Sequence, residues 1–576
     1  MKSFLRNTGY FSAAILAVAT ILPLVAYAQA PAPFGAVPSA RQVEWFHREA
    51  QVFLHFGVNT FNNAEWGTGS EDPKVFNPTA LDCGQWMRVI KSGGFTSAIL
   101  VAKHHDGFCN WPSAYTTQDV ASSPWRGGKG DLVKEFVDSC RAYGIKPGIY
   151  MSIGDFHSEK LGNYATYYLN QEREILHNYG KIWEIWWDGA NSQNNDAVTM
   201  KSYADSVHLW APDCVIWSDA AAKNVTADAR WIGNEGGTSG DPCWATMDWV
   251  NNGWSNEGNG TLGGAIYCAA EVNSSDRPGW FWHSGENNSV QSVDNMWNKY
   301  FQSVGHNCTW LYNLPPDNRG LIYKTDSINV DAVGAFIYGT FKAPHANLAE
   351  GATVTTNHPR GAGYEPANLV DTAEATYYAT PNNVNTDTIV FDLGSAKTFD
   401  CLMIREPIQL GHRTTGWGVD YSSDNSSYTS LLTGKQSIGY KWLEKFNAVT
   451  ARYVRLKITK GQASVAINTF GVYKKTSVRP PIGPTGIAAP VEKNAPLPMV
   501  TFQVFGRSVE LPQAFIRGSF VAELLDLQGR TVATTRVDAK RSQMETRTAP
   551  AGTGLYLIKC TIGNNVAVRR FAIAEK

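Results

Sequence analysis

From about Val43 to Ile337 the chain alternates short apolar runs with longer amphipathic stretches, and this rhythm constrains the fold more than any other feature. Phe53–Gly57, Thr96–Lys103, Ile145–Met151, the run ending Trp186-Trp187-Asp188, and Cys214–Ser218 read as strands. Cys83–Ser92, Asp131–Tyr143 and Tyr167–Tyr179 read as helices; Asp82 stands near the start of the first, and Gly144 and Gly180 stop the other two. Strand–helix units repeated over roughly 300 residues predict a parallel sheet closed as an α/β barrel of the (β/α)8 type, over residues 38–342. A doubly wound open sheet is the alternative, but no GxGxxG follows the first strand. At 576 residues the chain is too long for one core, so further domains are expected.

Polar residues gather where these strands end, the side on which barrel enzymes carry their chemistry. His55 closes the first strand, His104-His105-Asp106 the second, Tyr150 and Ser152 the third and Asp188 the fourth. One strand-end histidine is more often structural than functional, whereas four successive strands ending this way point to a shared site. Histidine and tyrosine bond hydroxyl groups, and the rings of Trp186 and Trp187 offer faces that suit the C–H surface of a sugar. A metal on His104 and His105 is disfavoured, because adjacent side chains on an extended segment point to opposite sides. A net charge of -1 with 18% charged residues leaves no polyanion-binding signature, which excludes nucleic acid as an expected partner.

Lys2 and Arg6 precede an apolar run to about Val25 and then Ala26-Tyr27-Ala28, so residues 1–28 read as a signal peptide cleaved after Ala28 or Ala30. No later run is long and apolar enough to predict a membrane span. Nine cysteines without CxxC spacing give no zinc signature and leave at least one free thiol.

Residues 43–340 resemble the family 29 glycoside hydrolases, the retaining α-L-fucosidases. The matching segments are Trp45-Phe46, His55-Phe56-Gly57, Glu65-Trp66, Lys103-His104-His105-Asp106-Gly107-Phe108, Tyr150-Met151-Ser152 and Trp186-Trp187-Asp188-Gly189. The resemblance implies that Asp188 is the nucleophile and that His55, His104 and His105 bind fucose, with Glu65, Trp66, Tyr150 and Trp186 as further contacts. Retaining chemistry needs a second carboxyl about 5 Å away, and the candidates after Asp188 are Asp219, Glu235, Asp241, Asp248, Glu257 and Glu271. Glu235 is preferred: in Arg230-Trp231-Ile232-Gly233-Asn234-Glu235 an apolar strand runs into a glycine-flanked acid, as at Asp188. It also resembles the G-N-E segment of the branch that prefers α-1,3/1,4 linkages on Lewis-type acceptors; Glu257 and Glu271 stand behind it. Arg277-Pro278-Gly279-Trp280-Phe281-Trp282-His283 resembles the family's late aromatic segment, placing Trp282, with Trp280 or His283 as alternatives, over the sugar's methyl group. Cys308-Thr309-Trp310 departs from the Gly-Asn-Leu-Leu-Leu-Asn that the family often shows in the last strand.

Residues 346–474 turn strand-rich and resemble a discoidin β-sandwich, through Ala367-Asn368-Leu369-Val370-Asp371, Ile389–Gly394 and Ala451–Leu456. Such modules often bind carbohydrate and some hold a structural calcium; Tyr377, Tyr378, Arg405 and Trp417 are candidates for a glycan face. Residues 475–499 read as a Pro-rich linker. Residues 500–576 resemble the small β-sandwich sorting domains of type IX secretion, which implies export from a Gram-negative cell to its surface or beyond, with the periplasm as the alternative.

Together these readings predict a secreted exo-α-L-fucosidase that needs no cofactor and acts on fucosylated glycans. An inactive fucose-binding lectin and hydrolysis of a related sugar such as L-galactose are the competing readings.

Overall fold

The computed structural model describes residues 28–476, apart from 191, 193–194, 220–226, 251–252, 255 and 372, together with the strands between 503 and 573. The signal-peptide reading and nearly all of the linker lie outside the described residues. The chain divides into two units, Met1–Ser477 and Val478–Lys576.

Eight strands close a barrel in the first unit: β1 (Ala50–Leu54), β2 (Ser97–Lys103), β3 (Lys146–Ser152), β4 (Glu184–Asp188), β5 (Val215–Ser218), β6 (Ala229–Trp231), β7 (Ala269–Ser275) and β8 (Cys308–Asn313). Each pairs in parallel with the next, and β8 returns to β1 with Tyr312 opposite Val52. The strands read as unbroken apolar runs because helices cover one side and barrel packing fills the other; β1 and β2 are buried throughout. Helices follow most strands. Cys83–Ser92, Leu132–Tyr143, Ala197–Trp210 and Val293–Gln302 are capped by Asp82, Asp131, Asp196 and Ser292, each side chain accepting from backbone N–H groups of the first turn. Gly144 ends the second of these at φ 69°, a conformation open to glycine at no steric cost.

The strand–helix rhythm fails after β5. Only residues 219–228 join β5 to β6, and residues 232–268 join β6 to β7 with two short hairpin pairs and, among the described residues, no helix. Among the described residues, the wall between β6 and β7 therefore carries no covering helix.

The β-sandwich that follows is antiparallel, ordered Thr353–Thr356, Asp387–Arg405, Trp442–Gly461, Thr414–Ser422, Thr429–Lys435, with Thr469–Tyr473 also on the second strand. Asp387–Arg405 is one long strand with register shifts between Asp392 and Lys397 and again before Cys401. Tyr378, Arg405 and Trp417 are buried with internal partners: Tyr378 donates to Asp387, Arg405 pairs with Glu374 at 2.6 Å, and Trp417 donates to the Ser437 carbonyl at 3.1 Å. Only Tyr377 of the four glycan-face candidates remains half-buried. The sandwich is seated on the barrel: Lys441 reaches Glu49, Tyr440 N donates to Asn307 Oδ1 at 2.7 Å, and the rings of His306 and Trp442 stack at 4.4 Å.

In the second unit, Phe520–Leu525, Thr531–Val537, Gly554–Ile562 and Asn565–Ile573 form a four-stranded antiparallel sheet. Gln503–Phe505, Ser508–Glu510 and Gln543–Glu545 form a three-stranded one.

Candidate active site

The C-terminal ends of the barrel strands surround a cavity with about 140 Å³ of accessible space. His55, Trp66, His104, His105, Tyr150, Trp186, Asp188 and Glu235 all line it. Phe53 and Trp186 meet at 5.1 Å inside the barrel and close its floor.

Asp188 is the last residue of β4, opposite Ser152 in β3. Tyr150 donates its hydroxyl to Asp188 Oδ2 at 3.1 Å, Ala190 N donates to Oδ1 at 2.8 Å, and His105 Nε2 faces Oδ2 at 3.5 Å. Burial alone would raise this carboxyl, but the His105 contact, the Ala190 N–H and the Tyr150 hydroxyl outweigh it and hold Asp188 below the usual aspartate range. Asp188 is therefore an anion aimed into the cavity.

The histidines are set by partners behind them. Asn313 spends its amide N–H groups on Ser275 Oγ (2.9 Å) and the Trp280 carbonyl (2.8 Å), so its oxygen accepts from His55 Nδ1 at 2.8 Å. Nε2 of His55 is left as an acceptor for a hydroxyl. Burial pushes His55 down to about 3 and holds His104 well below the ordinary value, with the neighbouring rings adding to the effect, so both are neutral. Ser152 donates to the Gly154 carbonyl at 2.6 Å and thereby accepts from His105 Nδ1, also at 2.6 Å. Next to this strand end, Lys103 is fully buried against Asp155 at 3.0 Å, and Phe156 N donates to the His105 carbonyl at 2.8 Å. Gly107 turns the chain at φ 80°, where any side chain would run into Asp155.

The second carboxyl can be chosen from geometry. Asp241 receives Gln436 N beside the sandwich, and Asp248 receives Ala265 N. Glu271 is fully buried in the barrel interior and accepts from Trp186 Nε1 at 3.0 Å. Of the six candidates only Asp219 and Glu235 share the cavity with Asp188. Asp219 accepts from Gly189 N at 3.3 Å, which fixes the turn after Asp188. Glu235 stands at the exposed mouth; partial burial of its carboxyl, then the charges of Asp188 and Glu65, raise it above the ordinary glutamate value against a hydrogen bond from Trp280. One acid held down and another held up, facing one cavity, is the division of labour that a general acid and a nucleophile require.

Glu65 and Trp282 are not among the lining residues. Glu65 accepts from Trp280 N (2.6 Å), Phe281 N (3.1 Å) and His283 Nε2 (2.6 Å), pinning the loop that carries Trp280 into the cavity. Trp282 is buried and donates to Asn287 at 3.0 Å. Sequence reasoning missed Phe53, Ala190, Trp217, Trp231 and Asn273 as lining residues. Trp217 sits opposite Trp186 in the next strand and stacks on it at 3.5 Å, so its signal was an aromatic one strand on, at the same register.

The α-L-fucosidase family model matches residues 33–340, and the F5/8 type C domain model matches residues 352–469. The chain belongs to the α-L-fucosidase family. Its members are glycoside hydrolases, and the barrel and discoidin-type sandwich are the architecture expected from sequence. The chain is 36% identical over 461 residues to α-L-fucosidase 1 of Arabidopsis thaliana, covering 77% of this chain and 88% of that one. Among solved structures, a Bacteroides thetaiotaomicron protein designated an α-L-fucosidase matches with TM-score 0.75 at 44% identity, over 78% of this chain and all of that one. A Ruminococcus gnavus fucosidase in complex with fucose matches with TM-score 0.72 at 32% identity, over 78% of this chain and 97% of that one.

Among the described residues no three or more His, Cys, Asp or Glu side chains are gathered to hold a metal ion. In the sandwich Asp371 accepts from Ala373 N and Thr376, and Asp420 from Arg455 and Lys457. No described helix is long and apolar enough to cross a membrane.

Proposed function

We propose that this fucosidase is a secreted, retaining exo-enzyme that removes terminal α-1,3/1,4-linked L-fucose from glycans by double displacement. The observation that carries this reading is the pairing of a depressed Asp188 with a raised Glu235 on one closed-floored cavity. Asp188 attacks the anomeric carbon while Glu235 gives its proton to the departing glycosidic oxygen; Glu235 then takes a proton from water, which releases fucose with its configuration retained. Tyr150, donating to Asp188, and His105, facing it, hold the attacking oxygen in place. Neutral His55 and His104 bond hydroxyl groups, and Phe53, Trp186 and the Trp217 stacked behind it supply the apolar floor. Nothing in this sequence of steps calls for a cofactor. A floor closed by rings suits a terminal sugar rather than an internal one. The signal-like residues 1–28 and the sorting-like residues 500–576 support export.

The test is to incubate the protein with Lewis a, Lewis x and 2′-fucosyllactose and measure released fucose. Release from the first two and not the third is expected; equal rates on all three would overturn the linkage assignment. A folded protein that binds fucose and releases none from any substrate would overturn the hydrolase reading.

A further inference from the structure

We propose that Cys243 and Cys308 form a disulfide site that staples the connection between β6 and β7 to the last barrel strand. Cys308 opens β8 and Cys243 lies in the 232–268 connection, and their Sγ atoms stand 3.3 Å apart. Both side chains are buried. No other pair among the described cysteines is brought to this thiol–thiol distance.

The two residues are also held in place from several sides. Cys243 N donates to Ser437 Oγ of the sandwich at 2.9 Å, and its carbonyl accepts from Asn307 Nδ2, the residue before Cys308, at 2.9 Å. Two positions on, Ala245 N donates to His412 Nε2 of the sandwich at 2.8 Å. A disulfide needs the sulfurs about 2.05 Å apart, so closure asks for about 1.3 Å of approach between two sulfurs that stand 3.3 Å apart. The staple would fix three bodies at one point: the barrel's last strand, the sandwich, and the connection that carries Glu235 eight residues before Cys243.

The chemistry is thiol–disulfide exchange with a small-molecule disulfide such as oxidised glutathione. The hydrogen bond from Cys308, and after it the charge of Arg230, hold the Cys243 thiol below its usual value against the effect of burial, which favours the attacking thiolate. Cys243 Sγ attacks one sulfur of the oxidant and expels one glutathione thiolate. Cys308 then loses its proton and attacks Cys243 Sγ, expelling the second. Two protein thiols give up two electrons and two protons, and the oxidant's S–S bond is reduced to two thiols. Burial of both sulfurs assigns the exchange to the folding chain or to an opened connection.

The experiment uses the full chain, folded with oxidised and reduced glutathione, denatured in iodoacetamide without reductant and digested with chymotrypsin. Cleavage after Trp244 and Tyr267 separates Cys243 from Cys268. The expected result is a single linked pair containing Cys243 and Cys308, unalkylated and separated by dithiothreitol. Carbamidomethyl on both cysteines under the oxidising conditions would overturn the proposal. As a second reading, wild type denatured and refolded in dithiothreitol should unfold several degrees below wild type refolded with oxidised glutathione. Equal unfolding temperatures in the two refolded samples would also overturn it. The Cys243→Ala/Cys308→Ala double variant serves as the reductant-insensitive control, and both readings stand on the wild type alone.

Discussion

Glu172 lies on the helix Tyr164–Asn178 behind β4, fully buried, and accepts the Trp187 indole N–H at 2.8 Å through Oε1, while no partner reaches its Oε2. Burial raises its carboxyl from 4.5 to about 8, against the smaller pull of the Trp187 bond and of Lys103. The sign follows directly. Below pH 4.5 the acid is neutral in both folded and unfolded chains, so it adds no pH-dependent penalty. As pH rises towards 8 the unfolded chain ionises the acid and the folded chain does not, and stability is lost across that window. At about 1.36 kcal/mol per unit the penalty reaches about 3 kcal/mol at pH 7. Glu172→Gln keeps the acceptor for Trp187 and cannot ionise, so it removes the penalty. The unpaired amide N–H it introduces costs about 1–3 kcal/mol at every pH. The signature is therefore a slope: the unfolding temperature of the variant minus that of wild type should rise between pH 4 and pH 7.5. The full rise is roughly 4–10 °C for a domain of this size, read by scanning calorimetry at matched protein concentration. Parallel curves for the two proteins over that range would refute the claim that this acid stays protonated in the fold.

Other consequences concern the site. Asp188→Ala should lower turnover by roughly 10³-fold or more, with azide or formate restoring part of it by standing in for the carboxylate; near-normal activity would remove Asp188 from the role. Glu235→Gln should lower kcat/KM on glycan substrates by roughly 10²–10⁴-fold and spare aryl fucosides with good leaving groups. Because Glu235 is raised and must be protonated to act as acid, the alkaline limb of the wild-type pH profile should lie above the ordinary glutamate value and vanish in this variant. Glu65→Ala should raise KM by freeing the Trp280 loop that Glu65 pins, and should move the alkaline limb of that profile down because the Glu65 charge helps hold Glu235 up; the limb should persist, whereas loss of a direct acid would abolish it.

The first half of the barrel was legible because its strands are followed by helices of ten or more residues, the clearest bounded by a cap and a stop, as at Asp131 and Gly144. The second half was harder to read, because β5 and β6 have only four and three residues and the described part of the connection between β6 and β7 holds no helix. In the sandwich, exposed Gly394 and Ser395 look like a loop, yet the strand bulges through them. At the site, strand-end histidines could be read from position alone, since a residue just past a barrel strand has few places to point but inward. Glu65 could not be read this way: its carboxylate faces two backbone N–H groups that the chain supplies more than two hundred residues later. Trp280 and Trp282 show the same limit. They share one loop, and only the folded loop decides that the first reaches the cavity while the second turns to Asn287.

The most direct measurement is to trap the intermediate. A 2-deoxy-2-fluoro-α-L-fucosyl fluoride slows both displacements while its good leaving group keeps the first one running, so a covalent fucosyl-enzyme should accumulate. Proteolysis and mass spectrometry should then place one fluorofucosyl group on Asp188. An adduct on Asp219 or Glu235 instead, or turnover with no adduct and inverted product, would contradict the assignment of Asp188 as the nucleophile.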